Sequence, residues 1–300
     1  LEYAVLGKTN FRVSKLGLGG APIGGDFGET TDAQALRVID AALDLGINFI
    51  DTAPLYGGGE SERRIGLGLK GKRNRVILAT KAVTRGVPYT YENTIKSVQE
   101  SLRRLQTDYI DLIQLHELES VSYEEAMKGT IAAFLKLKQE GIVRAIGVNA
   151  GKLDRLEPFI KDGIVDTIQT FGKYTLIDYT AKVALLPLAR QANVGVIHGS
   201  PLCMGMLTDR PAPFLYKYPA MLEEGNRRKR LLRFLQRGDS NGLVEPAMRF
   251  SLACPDIAVT LTGTTSVEFL TQNAAYCDGI GLAEEDEARV LSLFPGQRWQ

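Results

Sequence analysis

Short apolar runs recur along the chain, each followed by a longer stretch whose apolar positions return every three or four residues. The runs read as strands and the stretches as amphipathic helices. Residues 1–14 differ: two short alternating segments flank Gly7-Lys8-Thr9-Asn10, the pattern of a small β-hairpin. A first core strand follows at Leu16–Gly20, then a Gly/Pro-rich loop. Residues 32–45 carry Leu36, Ile39 and Leu43 on one face of a helix, with Thr31 as N-cap and Gly46 as stop. A second strand is expected at Ile47–Ile50, and a helix over Glu60–Leu69.

The alternation continues with a strand at Val76–Thr80 and a helix over Tyr91–Leu105, whose Ile95, Val98, Leu102 and Leu105 form one stripe. Next come a strand at Tyr109–Leu115 and a helix at Tyr123–Glu140, with Ile131, Phe134 and Leu135 inward and Gly141 as stop. Strands at Val143–Val148 and Val165–Thr170 bracket a helix at Lys152–Lys161. The helix expected over Tyr179–Ala192 contains Pro187, which kinks it or marks its true start. A strand at Gly195–Ile197 precedes an irregular segment, 199–241, with Pro201, Pro211, Pro213, Pro219 and a basic helix from Arg227 to Arg237. A helix at Val244–Leu252, a strand at Ile257–Leu261 and a helix at Val267–Cys277 complete the pattern. Residues Glu284–Leu293 add a surface helix.

Eight strand–helix units with near-continuous Val/Ile/Leu strands imply a parallel sheet buried on both faces. They point to an α/β fold, a (β/α)8 TIM barrel with an N-terminal β-hairpin and extra helices, over residues 1–300 as one domain. A doubly wound sheet is the competitor, and it calls for a glycine fingerprint at the first strand–helix turn, which is absent. The one G-x-G-x-x-G match, Gly66, Gly68 and Gly71, falls at a helix end and reads as a cap and turn.

Composition narrows the function. A net charge of +1 gives no reason to expect a nucleic-acid or membrane partner. Three widely spaced cysteines, Cys203, Cys254 and Cys277, argue against a disulfide framework and fit a reducing, cytoplasmic setting. Two histidines, His116 and His198, argue against a His-rich metal centre. No apolar run approaches the ~20 residues of a membrane span, and no signal peptide is visible.

In a barrel of this kind the chemistry lies at the C-terminal ends of the strands. Asp51, Lys81 and His116 end the second, third and fourth strands, and Tyr56 lies on the loop after Asp51. A lysine ammonium beside a phenol favours the phenolate and is expected to lower its pKa. Asp51 holds Lys81 charged, and His116 can bond a substrate oxygen. This is a proton donor/acceptor for a carbonyl or alcohol, and redox equivalents must come from an organic cofactor. Taken singly, each residue also has a structural reading: an ion pair, a loop anchor, a core histidine. The basic run Arg227-Arg228-Lys229-Arg230 reads as a solvated helix face. His198 follows the seventh strand and is expected near the mouth. Cys203 lies in the same loop without flanking charge.

The chain resembles the aldo-keto reductase superfamily over nearly its whole length. The segments that carry this are L-G-L-G-G at 16–20, D-T-A-P-L-Y-G at 51–57, A-T-K at 79–81 and D-Y-I-D-L-I-Q-L-H at 108–116. K-L-K-Q-E-G-I-V-R-A-I-G-V at 136–148, S-P-L-C-M-G-M-L-T at 200–208, and G-T-T-S at 263–266 leading to Gln272-Asn273 complete the set. The resemblance implies a catalytic tetrad of Asp51, Tyr56, Lys81 and His116. It also implies a nicotinamide cofactor extended across the barrel mouth without a Rossmann fold. It assigns to that cofactor Gly20, Ala21 and Asp51, then Asn149 and Gln169, then Ser200, Pro201, Leu202 and Gly205. The set ends with Gly263, Thr264, Thr265, Gln272 and Asn273.

Departures from the family pattern are informative. Asn149 and Ala150 stand where a Ser-Asn pair is common, and Gly199 where an aromatic often stacks on the nicotinamide. Gly263 and Phe269 replace the Lys and Arg that hold the 2′-phosphate in NADP-preferring members. No Lys or Arg occurs from Phe250 to Asp286, and Glu268 adds negative charge. The expectation is a preference for NAD over NADP. The H-E-L-E context at 116–119 and the 200–208 segment are most similar to L-galactose dehydrogenases and related aldose 1-dehydrogenases, which oxidise the anomeric carbon of a sugar to a lactone. The substrate expected is a small sugar or carbonyl compound. An NAD(P)H-dependent aldehyde or ketone reductase is the same-class alternative. A silent nicotinamide-binding sensor or regulatory subunit is the other, and the intact tetrad argues against it.

Overall fold

The computed structural model describes residues 1–236 and 242–299. Strands β1 (Tyr3–Val5) and β2 (Arg12–Ser14) form the expected antiparallel hairpin, closed by Asn10 in the left-handed region. Its Leu6, Phe11 and Val13 pack against Phe49, Ala79, Leu112, Ala145, Ile197 and Val259, the lowest layer inside the barrel. The hairpin therefore plugs one end of the barrel and leaves the other for chemistry.

The barrel closes through eight parallel strands: β3 (Leu16–Gly19), β4 (Phe49–Asp51), β5 (Ile77–Ala82), β6 (Ile110–Leu115), β7 (Val143–Asn149), β8 (Thr167–Phe171), β9 (Gly195–Gly199) and β10 (Val259–Thr262). They pair in sequence order, and β10 closes onto β3. Nearly every strand residue is buried, which is why the strands read as unbroken apolar runs rather than alternations. Around them lie α2 to α4 (Asp32–Asp44, Glu60–Gly68, Tyr91–Leu105) and α5 to α7 (Tyr123–Ala126, Ala132–Gln139, Leu153–Lys161). The rest are α8 (Leu185–Gln191), α9 (Pro219–Leu231), α10 (Val244–Leu252), α11 (Val267–Ala275) and α12 (Glu284–Leu293). A short α1 (Ala21–Gly24), unforeseen in the Gly/Pro-rich loop, precedes α2.

Several boundaries move for identifiable reasons. β4 begins two residues late because Ile47 N–H bonds back to the Ala42 carbonyl and closes α2, while the Asn48 side chain bonds the backbone of Arg12 and Ser14. β5 and β9 run further than expected, so Lys81 and His198 lie within the ladder, opposite Gln114 and Thr260. The helix expected over 123–140 is split by a π-turn at Met127–Ile131. That wide turn advances the helical phase. Ile131, Phe134 and Leu137 are buried, whereas Leu135 is 39% exposed rather than inward. Gly129 sits in the turn because a Cβ there would come within 1.9 Å of the Tyr89 carbonyl oxygen. On α2 the buried face is Ala35, Val38, Ile39, Ala42 and Leu43, and Leu36 is half-exposed. Pro187 sits in the first turn of α8, so it marks that helix's start.

The segment after β9 is more helical than its prolines suggested. α9 begins at Pro219, and Arg237, the expected end of the basic helix, lies outside the described residues. The basic run is not uniformly solvated. Arg228 is buried and donates to the Ile177, Gln297 and Arg298 carbonyls, and Lys229 donates to the Thr208 carbonyl. Gly66 and Gly68 are packing positions: a Cβ would strike the backbone of Arg104 and Leu105, or Ile39, and Gly71 forms a left-handed turn. Among the described residues, no helix is long and apolar enough to cross a membrane.

Candidate active site

Asp51 ends β4 with its carboxylate inside the barrel, 2% exposed. Residues paired in register across parallel strands face the same way, so Lys81 on β5 and Gln114 on β6 point inward in one row. Lys81 Nζ lies 2.7 Å from Asp51 Oδ2 and donates to the Thr52 carbonyl at 2.8 Å. Gln169 Nε2 reaches Asp51 Oδ2 at 3.3 Å, and Gln114 Nε2 reaches Asp51 Oδ1 at 3.1 Å. Both carboxylate oxygens are thus occupied by hydrogen-bond donors.

Tyr56 arches over this floor. The turn that carries it, Tyr56–Gly59, places Gly57 and Gly58 in the left-handed region. A Cβ on Gly57 would come 2.1 Å from the Gly24 carbonyl oxygen, so the loop after β3 clamps this turn, and Asp26 Oδ1 accepts from Gly57 N–H. The Lys81 ammonium lies 5.0 Å from the Tyr56 ring centroid. The His116 ring meets the Tyr56 ring edge-on at 6.0 Å. The three residues picked out at the strand ends and Tyr56 from the loop are therefore together in space.

Their electrostatics differ from expectation in one respect. Burial pushes the Tyr56 phenol above its ordinary value; Lys81 opposes the rise without cancelling it, and Asp51 adds to it. The lowering expected from the sequence is reversed because desolvation of the phenolate exceeds the pull of an ammonium already neutralised by Asp51. Burial also works against charge on Lys81, but Asp51 and Tyr56 outweigh it and hold the ammonium charged. His116 lies well below the ordinary histidine range, first through burial and then through the positive charges of Lys81 and Arg85. Its imidazole is neutral, and Nδ1 has no protein partner.

The remaining candidate positions form an arc of strand ends. Asn149 ends β7 and donates to the Gln169 carbonyl on β8 at 3.4 Å. Ser200, Pro201, Leu202 and Gly205 make the turn after β9, with Ser200 and Gly205 at positive φ. Gly263, Thr264 and Thr265 follow β10, where Thr264 Oγ1 accepts from Ser266 N–H. Gly20 N–H bonds the Asp51 carbonyl at 2.7 Å, and Ala21 begins α1. Asn273 on α11 donates to Thr262 Oγ1, while Gln272 is exposed. In barrel order these belong to the neighbouring strands β7, β8, β9, β10, β3 and β4. Gln169 Oε1 and Asn273 Oδ1 are shielded and lack a protein partner, a cost that amide or amine donors from a ligand would remove. These unpaired acceptors fit a ligand that brings amide N–H groups. A Cβ on Gly20 would come 2.6 Å from Ser61 Oγ, which donates to the Gly20 carbonyl, so glycine here serves the packing of α3 against β3.

His198 is not at the mouth. Its side chain leaves the barrel toward α10, where Nδ1 bonds Ser251 Oγ at 2.8 Å, and burial lowers its pKa to about 3. Cys203 is buried and its thiol is pushed up to about 12, which removes it as a reactive thiolate. Gln114 was overlooked in the sequence. Its signal was available: it lies near the end of β6, two residues before His116, the spacing that keeps extended chain on one face. Arg210 could not have been placed from sequence. Its guanidinium stacks on the Phe269 ring at 4.3 Å, bringing a cation onto the otherwise Lys/Arg-free α11 region.

A closed parallel barrel with titratable side chains gathered at the open ends of its strands is the architecture of a barrel enzyme, here an oxidoreductase. Residues 15–293 match the model of the Aldo/keto reductase family. The chain is 35% identical to L-galactose dehydrogenase of Arabidopsis thaliana over 305 residues, covering 98% of this chain and 94% of that protein. It is 30% identical to D-threo-aldose 1-dehydrogenase of a Pseudomonas species, covering 93% and 95%. The holo form of an aldo-keto reductase from Bacillus halodurans superposes with a TM-score of 0.79 at 29% identity, covering 99% of this chain and 97% of that one. The chain belongs to the aldo/keto reductase family.

Proposed function

We propose that the protein oxidises an aldose, an L-galactose-like sugar, at C1 to its lactone with NAD. The observation that carries this reading is the buried Asp51–Lys81 pair with the Tyr56 ring 5.0 Å from its ammonium and His116 against that ring. The two sugar dehydrogenases among the relatives support the substrate class. A bound nicotinamide supplies the hydride acceptor, held by Gln169, Asn149 and the turns after β9 and β10. The proton is the chain's own business. Tyr56 takes it from the anomeric hydroxyl, and Lys81 reduces the cost of the phenolate that must form first. Asp51 keeps Lys81 charged and in place. Neutral His116 bonds the substrate oxygen and fixes its approach without competing for the proton.

The NAD preference rests on the missing cations after β10 and on Glu268. Arg210, stacked on Phe269, is a cation supplied from the segment after β9, so the preference is expected to be moderate. One observation favours reduction of an aldehyde or ketone with NAD(P)H: a phenol held neutral by burial is ready to give a proton. A sugar panel with NAD set against an aldehyde panel with NADH and NADPH, followed by absorbance of the reduced nicotinamide, decides between the readings. Exclusive turnover of simple aldehydes overturns the sugar assignment. Nucleotide binding with no turnover on either panel favours a silent binding subunit.

A further inference from the structure

We propose that Gln114 is a positioning residue of the proton-transfer site: its amide locks the Asp51 carboxylate in the orientation that holds Lys81 under Tyr56. The inference rests on the acid–base reading given above and adds to it a residue outside the tetrad.

The geometry starts from the carboxylate. Asp51 Oδ2 takes Lys81 and Gln169, and Oδ1 takes Gln114 alone. No other side-chain donor reaches Oδ1 among the described residues. Without Gln114 the carboxylate is held on one edge only and is free to swing about its Cβ–Cγ bond. The two donors also differ in availability. Gln169 lies in the arc assigned to the cofactor and has a competing task there. Gln114 lies deeper, fully buried, and has none.

The cost of this residue points the same way. An ionised Asp51 accepts hydrogen bonds only, so the Gln114 amide must turn its nitrogen toward it. The amide oxygen then faces the barrel interior, where it is shielded and without a partner. A buried unpaired acceptor destabilises a protein. An apolar side chain of the same length would fill this layer without that penalty, as Leu112 does one layer below on the same strand. Gly147, paired with Gln114 in register, is held to glycine first by Thr167, whose Oγ1 would lie 2.3 Å from a Cβ there, with Gln114 Cγ at 3.3 Å. A buried polar group kept at a loss is explained by what its nitrogen does at Asp51.

The charged and titratable groups around the phenol are Asp51 from β4, Lys81 from β5, His116 from β6, and Asp26 and Arg85 from the loops after β3 and β5. Gln114 adds no charge to this set. Its effect reaches Tyr56 only through the placement of Asp51 and Lys81, so replacing it tests placement separately from charge.

The test uses Gln114→Met, which keeps the length and loses the donor, and Gln114→Glu, which sets a second carboxyl beside Asp51. The main readout needs no substrate. Alkaline titration of the phenolate absorption band, each protein minus its own Tyr56→Phe version, isolates Tyr56 from the other tyrosines. In Gln114→Met the Tyr56 titration is expected to move to higher pH by about half a unit or more, because Lys81 is held less firmly. In the same variant kcat for the best aldose of the panel should fall ~5–30-fold, with KM and the dissociation constant for NADH within about twofold of the parent. The melting temperature should not fall, since an unpaired oxygen is removed. In Gln114→Glu the titration is expected to move further.

A Tyr56 titration and kcat unchanged in Gln114→Met overturn the proposal. A lowered melting temperature with an unmoved titration also overturns it, because that is the mark of a structural role. If Gln114→Met does not fold, an unmoved titration in Gln114→Glu has the same force. The underlying reading fails differently: full turnover in Tyr56→Phe removes Tyr56 as the proton carrier whatever Gln114 does.

Discussion

Removing one oxygen atom, Tyr56→Phe, separates proton transfer from everything else the site does. Lys81 keeps its two strongest partners, Asp51 Oδ2 at 2.7 Å and the Thr52 carbonyl at 2.8 Å, so neither the ion pair nor the floor of the site should move. The hydroxyl's own contribution to stability is no more than that of one hydrogen bond, about 1 kcal/mol. The ring remains to pack against His116. Kinetically the loss should be much larger, because a positioned acid–base group contributes ~10²–10⁴-fold, or roughly 3–5 kcal/mol of barrier. We expect turnover to fall by at least about two orders of magnitude with KM and nucleotide affinity largely kept. Steady-state absorbance of the reduced nicotinamide gives kcat, and fluorescence quenching by NADH gives affinity. Lys81→Met is the contrast. It strands the Asp51 carboxylate in the interior, which should cost ~3–5 kcal/mol of stability as well as activity. If Tyr56→Phe retains more than about a tenth of parental turnover, Tyr56 is not the proton carrier.

Because burial holds the Tyr56 phenol protonated above its ordinary range, oxidation, which needs the phenolate, should speed up steadily from pH 7 to about 10; a plateau below pH 8 would contradict this. His198 is lowered to about 3 from 6.5, so it is neutral in the folded state at neutral pH and binds fewer protons than when unfolded. Its contribution is full above about pH 6.5 and is lost as pH falls toward 3. His198→Asn should therefore show a shallower loss of melting temperature between pH 6.5 and 4 than the parent. Gly129→Ala would stabilise an ordinary helix, but here its Cβ meets the Tyr89 carbonyl, so a loss of ~1–3 kcal/mol in denaturant titration is expected and a gain refutes the packing argument. Arg210→Ala should weaken NADPH binding ~3–10-fold and leave NADH unchanged; equal losses would show that its stacking on Phe269 has no bearing on the 2′-phosphate.

Element order, the eight-fold alternation, the N-terminal hairpin and the titratable residues at neighbouring strand ends were legible in the chain itself. Each rests on information local to a few residues. Burial on both faces makes a strand continuously apolar, and Thr31, Gly46 and Gly141 punctuate where helices begin and stop. Asp51, Lys81 and His116 could be picked out because strand ends in a parallel barrel are forced to one rim. The closed register of the sheet decided the rest. Leu135 turned outward because a carbonyl from the Tyr89 loop demanded a glycine and a π-turn in its helix. His198 turned away from the rim because β9 ran two residues further than its apolar core. Gln114 joined Asp51, and Arg210 reached Phe269, only once distant segments were brought together. The direction of the Tyr56 shift was decided there too: a neighbouring ammonium can be read from sequence, but how much water its neighbour has lost is a property of the packed interior alone.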